Sequence, residues 1–277
     1  MGLRINTNVA SLAAQRALGV NMRNTGDNLR KLSSGERVTK AGDDAAGLAI
    51  SENLKSQIRG ARQANRNAGD AVSMIQTAEG GLSEISSIVI RLRELAVQAA
   101  SDTIGDTERK FTDLEFQQLK EEIDRIARSS EFNGIKLLDG TGGQLEFQIG
   151  VRNDPILDRL RYDGTANSST INGLGLQEES VITKTGAQNT LKTLDDALVQ
   201  VNGIRANLGA TQNRLQSAIN NLQVSDENLS SAKSRIRDVD VAAETADLTK
   251  NNILVQAGTS VLAQANQQPS IAMKLLG

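Results

Sequence analysis

The feature that most constrains this fold is a pair of long apolar stripes, one in each half of the chain, whose members recur at alternating steps of three and four residues. A repeat of 3.5 residues held this long keeps one seam of a helix facing a partner helix and winds the pair left-handed. The stripes therefore predict two long paired helices. Only Thr211 and Ser225 are polar among the stripe members, which are Ala61, Ala64, Ala68, Ala71, Ile75, Ala78, Leu82, Ile85, Val89, Leu92, Ala96 and Ala99 in the first half, and Leu194, Ala197, Val201, Ile204, Leu208, Thr211, Leu215, Ala218, Leu222, Ser225, Leu229, Ala232, Ile236 and Val239 in the second.

The period changes from 3.5 to 2 between the two stripes. Leu145, Phe147, Ile149 and Val151 alternate with polar neighbours, as in a half-buried strand, and a second alternation ends at Tyr162, which indicates a β-hairpin. Between the first stripe and the hairpin, a shorter helix is expected to present Phe111, Leu114, Leu119, Ile123 and Ile126 on its apolar face. The predicted helices cover about 1–34, 48–100, 107–129, 188–239 and 240–265, and the last of them ends before Pro269.

This order of elements predicts that the chain folds back at the β region, so that the long helices run antiparallel and both termini meet. The expected fold is mainly α: an elongated antiparallel helical bundle or coiled coil with a small β-hairpin region and paired terminal helices. Segments 1–44 and 238–277 form the terminal pair, and 45–237 forms the core domain with its β region at about 132–185. Because the terminal segments contain few large apolar residues, we expect them to order only against neighbouring molecules.

The composition argues against catalysis. The 277 residues include no His, Cys or Trp, which removes the commonest general base, the thiolate nucleophile and the usual zinc ligands. The glycines near Gly35 and Gly140 lack the spacing of phosphate-binding loops and are better explained as turns. We therefore expect no enzyme activity, no cofactor and no metal site.

The charge is uneven although the total is only −2. Residues 1–66 contain eleven Lys and Arg against five Asp and Glu, which is a net +6. This segment contains no aromatic residue on which bases could stack, so we expect no nucleic-acid partner and interpret the charge as surfaces that meet within or between subunits. No apolar run indicates a cleaved export signal or insertion into a membrane.

Several motifs, in the same order, are typical of one family, and the chain resembles bacterial flagellin over nearly its whole length. The motifs are Ile5-Asn6-Thr7-Asn8, Leu32-Ser33-Ser34-Gly35, Asp43-Asp44-Ala45-Ala46-Gly47-Leu48-Ala49-Ile50, Arg93-Glu94-Leu95-Ala96-Val97-Gln98, Phe132-Asn133-Gly134 and Gln256-Ala257-Gly258-Thr259-Ser260-Val261-Leu262-Ala263-Gln264-Ala265-Asn266. The region between the halves, about 163–185, is too short for large outer domains, so the resemblance is to a short flagellin.

The resemblance implies a structural subunit that self-assembles into the extracellular flagellar filament used for motility. It implies that the terminal helices line an inner tube, and that the chain is exported through the flagellar type III apparatus with the help of an export chaperone, a filament cap and hook-junction proteins. A hook–filament junction protein is the alternative within the flagellum, and a soluble coiled-coil adaptor is the alternative outside it. The residues expected to drive polymerisation are Ile5, Val9, Leu12, Leu254, Val261 and Leu262.

The resemblance also implies a surface that a vertebrate Toll-like flagellin receptor recognises on the depolymerised subunit. The matching positions are Arg91, Leu95 and Glu115. Arg91 and Leu95 lie one helical turn apart and off the seam that contains Leu92, so we expect both to be available for contacts between subunits as well.

Overall fold

The computed structural model describes residues 7–274, with side chains as far as Gln267, and its architecture is mainly α-helical. The few strands form two antiparallel pairs, which confirms the predicted fold class. The elements are the helices α1 (Val9–Ser34), α2 (Ala45–Ala99), α3 (Asp106–Ser129), α4 (Lys184–Arg237) and α5 (Val241–Lys274), the strands β1 (Glu131–Phe132), β2 (Ile135–Lys136), β3 (Gln144–Gln148) and β4 (Arg159–Asp163), and a 3₁₀ turn at Thr165–Asn167.

The chain divides into two compact units. One unit is Ile58–Glu227, and the other comprises the described parts of Met1–Gln57 and Asn228–Gly277. The first contains the larger apolar core, and the second contains the pair formed by α1 and α5.

The core of the Ile58–Glu227 unit is built on the first stripe, whose members are all buried as predicted. Two ion pairs beside the seam show the orientation of α4 against α2: Arg62 pairs with Asp226 at 3.0 Å and Arg93 pairs with Asp195 at 2.6 Å. The two arginines are 31 residues apart, and so are the two aspartates, so the helices run antiparallel in constant register. The second stripe is buried through Leu215, apart from half-buried Thr211, and its later members are only half-buried.

Helix α3 packs on the core with Ile123 and the half-buried Leu119 and Ile126, as predicted, and also with Phe116. Phe111 is 71% exposed and Leu114 is 66% exposed, so the expectation that these two residues face the core is wrong. Charged side chains take their place, because distant carbonyl groups satisfy them. Arg109 donates to Ala99 O (2.9 Å) and Ser101 O (2.8 Å), and Lys120 donates to Gln177 O (3.1 Å) and Glu179 O (2.9 Å).

The predicted hairpin is present as β3 and β4, paired from Gln144 opposite Asp163 to Gln148 opposite Arg159. Its connection spans 149–158, so Ile149 and Val151 of the predicted alternation lie outside the strand. A second small pair, β1 with β2, surrounds Asn133 and Gly134, which have φ of 51° and 80°. Positive φ at both central residues is the geometry that Asn-Gly hairpin turns favour, so this dipeptide forms a hairpin as well as following a helix.

Helix α5 continues through Pro269 to Lys274, so the prediction that it ends near Ala265 is wrong. Proline has no backbone N–H, and the carbonyl four residues earlier, that of Ala265, loses its helical donor. The side-chain amide of Asn8 donates to Ala265 O at 2.7 Å and replaces that missing donor. A contact from the start of α1 therefore compensates a proline that the local sequence marks as a helix end.

The two phenylalanines of α3 provide a direct test of this packing. We expect Phe116→Ala to lower the free energy of unfolding by about 3–5 kcal/mol, because it opens a cavity in the core. Phe111→Ala removes the same atoms from an exposed position and should change stability by less than about 0.5 kcal/mol. Urea unfolding followed by circular dichroism measures both, and equal losses would contradict the described face of α3.

Candidate assembly surfaces

The α1–α5 pair has a polar interior. Ser11, Asn28 and Ala265 are its buried residues among those described in the two helices. Ser11 Oγ donates to Asn266 Oδ1 at 2.7 Å. The buried contacts of this pair are therefore partly polar, and half-buried apolar side chains such as Leu18, which lies against Gly258, pack beside them.

Asn28 is the most connected residue of this interior. One orientation of its side-chain amide gives both the nitrogen and the oxygen a hydrogen-bond partner. In this orientation the nitrogen donates to the Glu244 carboxylate (3.1 Å) and to Asn24 O (2.9 Å), and the oxygen accepts from the Leu248 N–H (3.1 Å). Glu244 also forms an ion pair with Lys31 at 3.5 Å. Buried polar pairs of this kind fix the register of two helices, because a shift along the axis leaves them unsatisfied.

Many large apolar side chains of the two helices lie on the outside, whereas Leu18, Leu32, Leu248, Val255 and Leu262 are half-buried. Exposed apolar side chains along one pair of helices make these helices a candidate interaction surface. The exposed set on α1 and α5 is Val9, Leu12, Val20, Met22, Leu29, Val241, Ile253, Leu254 and Val261. Among the residues predicted to drive polymerisation, Val9, Leu12, Leu254 and Val261 belong to this set, Leu262 is half-buried, and Ile5 lies outside the described residues.

Asn8 has two roles at the end of the pair. Its Oδ1 caps α1 by accepting from the Ser11 N–H at 3.0 Å, while its Nδ2 donates to Ala265 O as described above. The sequence contains a signal for the first role, since Asn directly before a helical run is a preferred N-cap. It contains only an indirect signal for the second, the orphan carbonyl that Pro269 creates.

Backbone hydrogen bonds and ion pairs join the segment after α1 to the C-terminal end of α4, and we name this group of contacts the charged clamp. The Arg37 N–H donates to Arg237 O at 2.6 Å, and the Val239 N–H donates to Gly35 O at 3.0 Å. The Arg237 guanidinium pairs with Glu36 at 2.8 Å and with Glu52. The hydrogen bond from Arg237 lowers the pKa of Glu52, and the two carboxylates raise the pKa of Arg237, so the ion pair between Arg237 and Glu52 stays charged across the neutral range.

The residues predicted for receptor contact are divided between surface and core. Arg91 is exposed and pairs with Glu94 on its own helix and with Glu115 on α3, each at 2.9 Å, and both carboxylates raise its pKa. Leu95 is only 2% exposed and belongs to the core, so the expectation that it is available on the surface is wrong. The face of α2 that lies beyond the seam is covered because α3 packs there, which the heptad pattern of α2 alone does not reveal.

The described residues provide little for other chemistry. Within residues 7–274, no cluster of three or more carboxylates is placed to hold a metal ion. No helix in that range combines the length and the apolar character needed to cross a bilayer.

Comparison of the sequence with known protein families identifies the family of this chain. The family model of the bacterial flagellin N-terminal helical region matches residues 5–142, and that of the C-terminal helical region matches residues 191–276. The chain belongs to the bacterial flagellin family. The matched regions include all five helices apart from the first turns of α4, so the family assignment covers both the apolar core and the terminal pair.

Full-length relatives of this flagellin-family chain are similar in size. Flagellin from Halalkalibacterium halodurans is 45% identical, with 98% of this chain and 99% of the relative covered. Flagellin from Bacillus subtilis is also 45% identical, with 99% of this chain and 100% of the relative covered. The flagellar filament 33 kDa core protein of Treponema phagedenis is 43% identical over 98% of this chain and 99% of its own length.

Two solved structures share the fold. The crystal structure of Bacillus cereus flagellin has a TM-score of 0.51 at 33% identity and covers 57% of this chain and 88% of its own. A putative flagellar hook-associated protein from Vibrio parahaemolyticus has a TM-score of 0.58, but its identity is 13%, over 71% of this chain and 100% of its own. The second likeness therefore concerns the fold alone.

A substitution at Asn8 separates its two roles. Asn8→Asp keeps an N-cap acceptor but removes the donor to Ala265 O, so we expect faster hydrogen exchange in the last turns of α5 with little change at the start of α1. Asn8→Ala removes both contacts and should loosen both helix ends, at a cost of about 1–2 kcal/mol for the cap. Exchange measured by mass spectrometry distinguishes the variants, and an α5 unaffected by Asn8→Asp would contradict the second role.

Proposed function

We propose that this chain is the structural subunit of an extracellular bacterial flagellar filament and acts by polymerising. The observation that carries the proposal is the pair of terminal helices, which hold their register through polar contacts and leave many large apolar side chains exposed. Such a surface is costly in water and is stabilised when neighbouring copies cover it, by about 25 cal/mol for each Å² of apolar area. Full-length relatives named flagellin and filament core protein support the same function.

The contacts between copies are heterologous, so that repetition gives an open helix instead of a closed ring. In this proposal, 1–44 and 238–277 line the inner tube, and 45–237 forms the surrounding shell with its β region at about 132–185. The chain acts as no enzyme, and polymer contacts replace a catalytic site. Its partners during secretion are an export chaperone, the filament cap and the hook-junction proteins.

The alternative of a hook–filament junction protein has less support. Relatives named flagellin or filament core protein are 43–45% identical across nearly the whole chain, whereas the hook-associated protein is 13% identical. The abundance of the chain in sheared filaments separates the two functions, because a junction protein is present in few copies.

We also propose that the depolymerised subunit is recognised by a vertebrate Toll-like flagellin receptor. Arg91 and Glu115, which form one exposed ion pair across α2 and α3, are the contacting residues. Leu95 is buried and acts by holding α2 and α3 in place. A Leu95 variant would therefore change both the stability of the subunit and its recognition. Variants of the exposed residues Arg91 and Glu115 test recognition alone.

Substitution of exposed terminal residues should block assembly and leave the subunit folded. Because Leu12 and Val261 are exposed in the free chain, Leu12→Ser and Val261→Ser should change monomer stability by less than about 0.5 kcal/mol. Each loses an apolar contact worth about 1.5–3 kcal/mol in the polymer, so the concentration needed for seeded growth should rise about tenfold or more.

The matched control is Val199→Ser on α4, which is exposed in the other unit. Electron microscopy and light scattering with filament seeds measure growth of all three variants. Normal growth of both terminal variants would argue against polymerisation through α1 and α5.

The receptor proposal is tested with Arg91→Ala combined with Glu115→Ala. Loss of two central charged contacts should reduce signalling by monomer about tenfold or more, because a few residues dominate such interfaces. The control is Arg125→Ala with Glu122→Ala, which removes another exposed ion pair from the same helix α3. Equal potency of the two double variants in a receptor-reporter cell assay would refute the assignment.

A further inference from the structure

The connection between β3 and β4 carries two adjacent apolar side chains at the surface. Ile156 is 83% exposed and Leu157 is 79% exposed. The Asp154 carboxylate accepts from the N–H groups of Ile156 (2.8 Å) and Leu157 (3.0 Å), and the Asp158 N–H donates to Asp154 O at 3.0 Å. The pair is therefore displayed by a hydrogen-bonded turn. We name Ile156 and Leu157 the hairpin tip.

The base of this connection is fixed to α2. Asn67 Nδ2 donates to Gln148 O at 3.1 Å. Val151 packs so closely on Gly60 that a Cβ there would lie 2.6 Å from Val151 Cγ1. A tip held at its base and within its turn loses little conformational entropy on binding, which favours a role in recognition.

A groove of about 440 Å³ opens in the same unit between α2 and the two strand pairs. Its apolar lining consists of Ala71, Met74, Phe132, Ile135, Leu145 and Phe147. Asp70 is exposed where it lines the groove and forms no ion pair within residues 7–267. The groove thus combines apolar walls with one uncompensated negative charge.

The hairpin tip has the complementary character. Arg152 is exposed, lies four residues before Ile156, and has no side-chain partner in the described part of the chain. The tip is not seated in its own chain's groove, because both of its side chains remain exposed. An apolar pair beside a free cation thus matches an apolar groove beside a free carboxylate.

We propose that the hairpin tip of one copy docks in this groove of a second copy, with Arg152 facing Asp70. The inference rests on the proposed function, since it requires copies that polymerise. The hairpin tip and the groove are different surfaces of the same chain, so the contact is heterologous and repeats without closing. It gives the Ile58–Glu227 unit a contact of its own, separate from that of the terminal helices.

Charge reversal tests the pairing with the full chain. Arg152→Glu alone and Asp70→Arg alone should each slow the growth of wild-type filament seeds about tenfold, because like charges then face each other. The double variant carries both changes and should recover most of the rate. Lys192→Glu, at an exposed position of α4, is the control. If the growth rate of the double variant is instead reduced by the product of the two single reductions, the two side chains do not interact and the pairing is overturned.

Cross-linking tests the contact directly, and the absence of Cys from the chain gives it a clean background. Arg152→Cys and Asp70→Cys, at the two positions that face each other in the proposal, are made separately, mixed in equal amounts, grown on wild-type seeds and oxidised with copper phenanthroline. A disulfide forms only when the two Cα atoms approach within about 7 Å. We expect dimers from the mixture and none from either variant alone.

The outcomes distinguish this inference from the proposed function. Filaments that grow from the mixture without dimers would overturn the tip-and-groove contact and leave the polymer intact. Failure of the wild-type chain to extend seeds under the same conditions would overturn the proposed function itself.

Discussion

The small-residue seam of α2 is the contact on which the rest of the Ile58–Glu227 unit depends. Every alanine of the first stripe is buried, and the ion pairs Arg62–Asp226 and Arg93–Asp195 place α4 antiparallel along the same helix. The other elements also attach to α2. Arg109 of α3 binds the carbonyl of Ala99, and Asn67 holds the β3 strand through Gln148 O. A change that shifts or bends α2 would therefore displace α3 and the hairpin together.

The two units differ in the kind of side chain that they bury. The Ile58–Glu227 unit buries a large apolar core. The terminal unit buries Ser11 and Asn28 and exposes leucines, isoleucines and valines, so polar contacts specify its register. In the proposed function this division suits assembly, because apolar surface at the termini contacts neighbouring copies while the apolar core stays folded.

The sequence alone predicted what depends on local periodicity and failed where distant groups intervene. Both long helices, their antiparallel pairing and the β3–β4 hairpin follow from the spacing of apolar residues. The exposure of Phe111 and Leu114 on α3 could not be predicted, because Arg109 and Lys120 are buried in the same helix only where carbonyl groups of distant residues accept their hydrogen bonds. Leu95 was misjudged because a seam identifies one partner helix and not a second. The receptor residues and the boundaries of the terminal segments stay predictions.

The Asn8–Ala265 contact joins residues 257 positions apart and has a consequence for timing. Whichever end of the chain is delivered first, by synthesis or by passage through a narrow channel, half of the α1–α5 pair must wait until nearly the whole molecule has arrived. The helix pair that carries the exposed apolar set on α1 and α5 is thus the last to be completed. In the proposed filament, this delay shortens the time for which a finished subunit exposes that surface before it meets its neighbours.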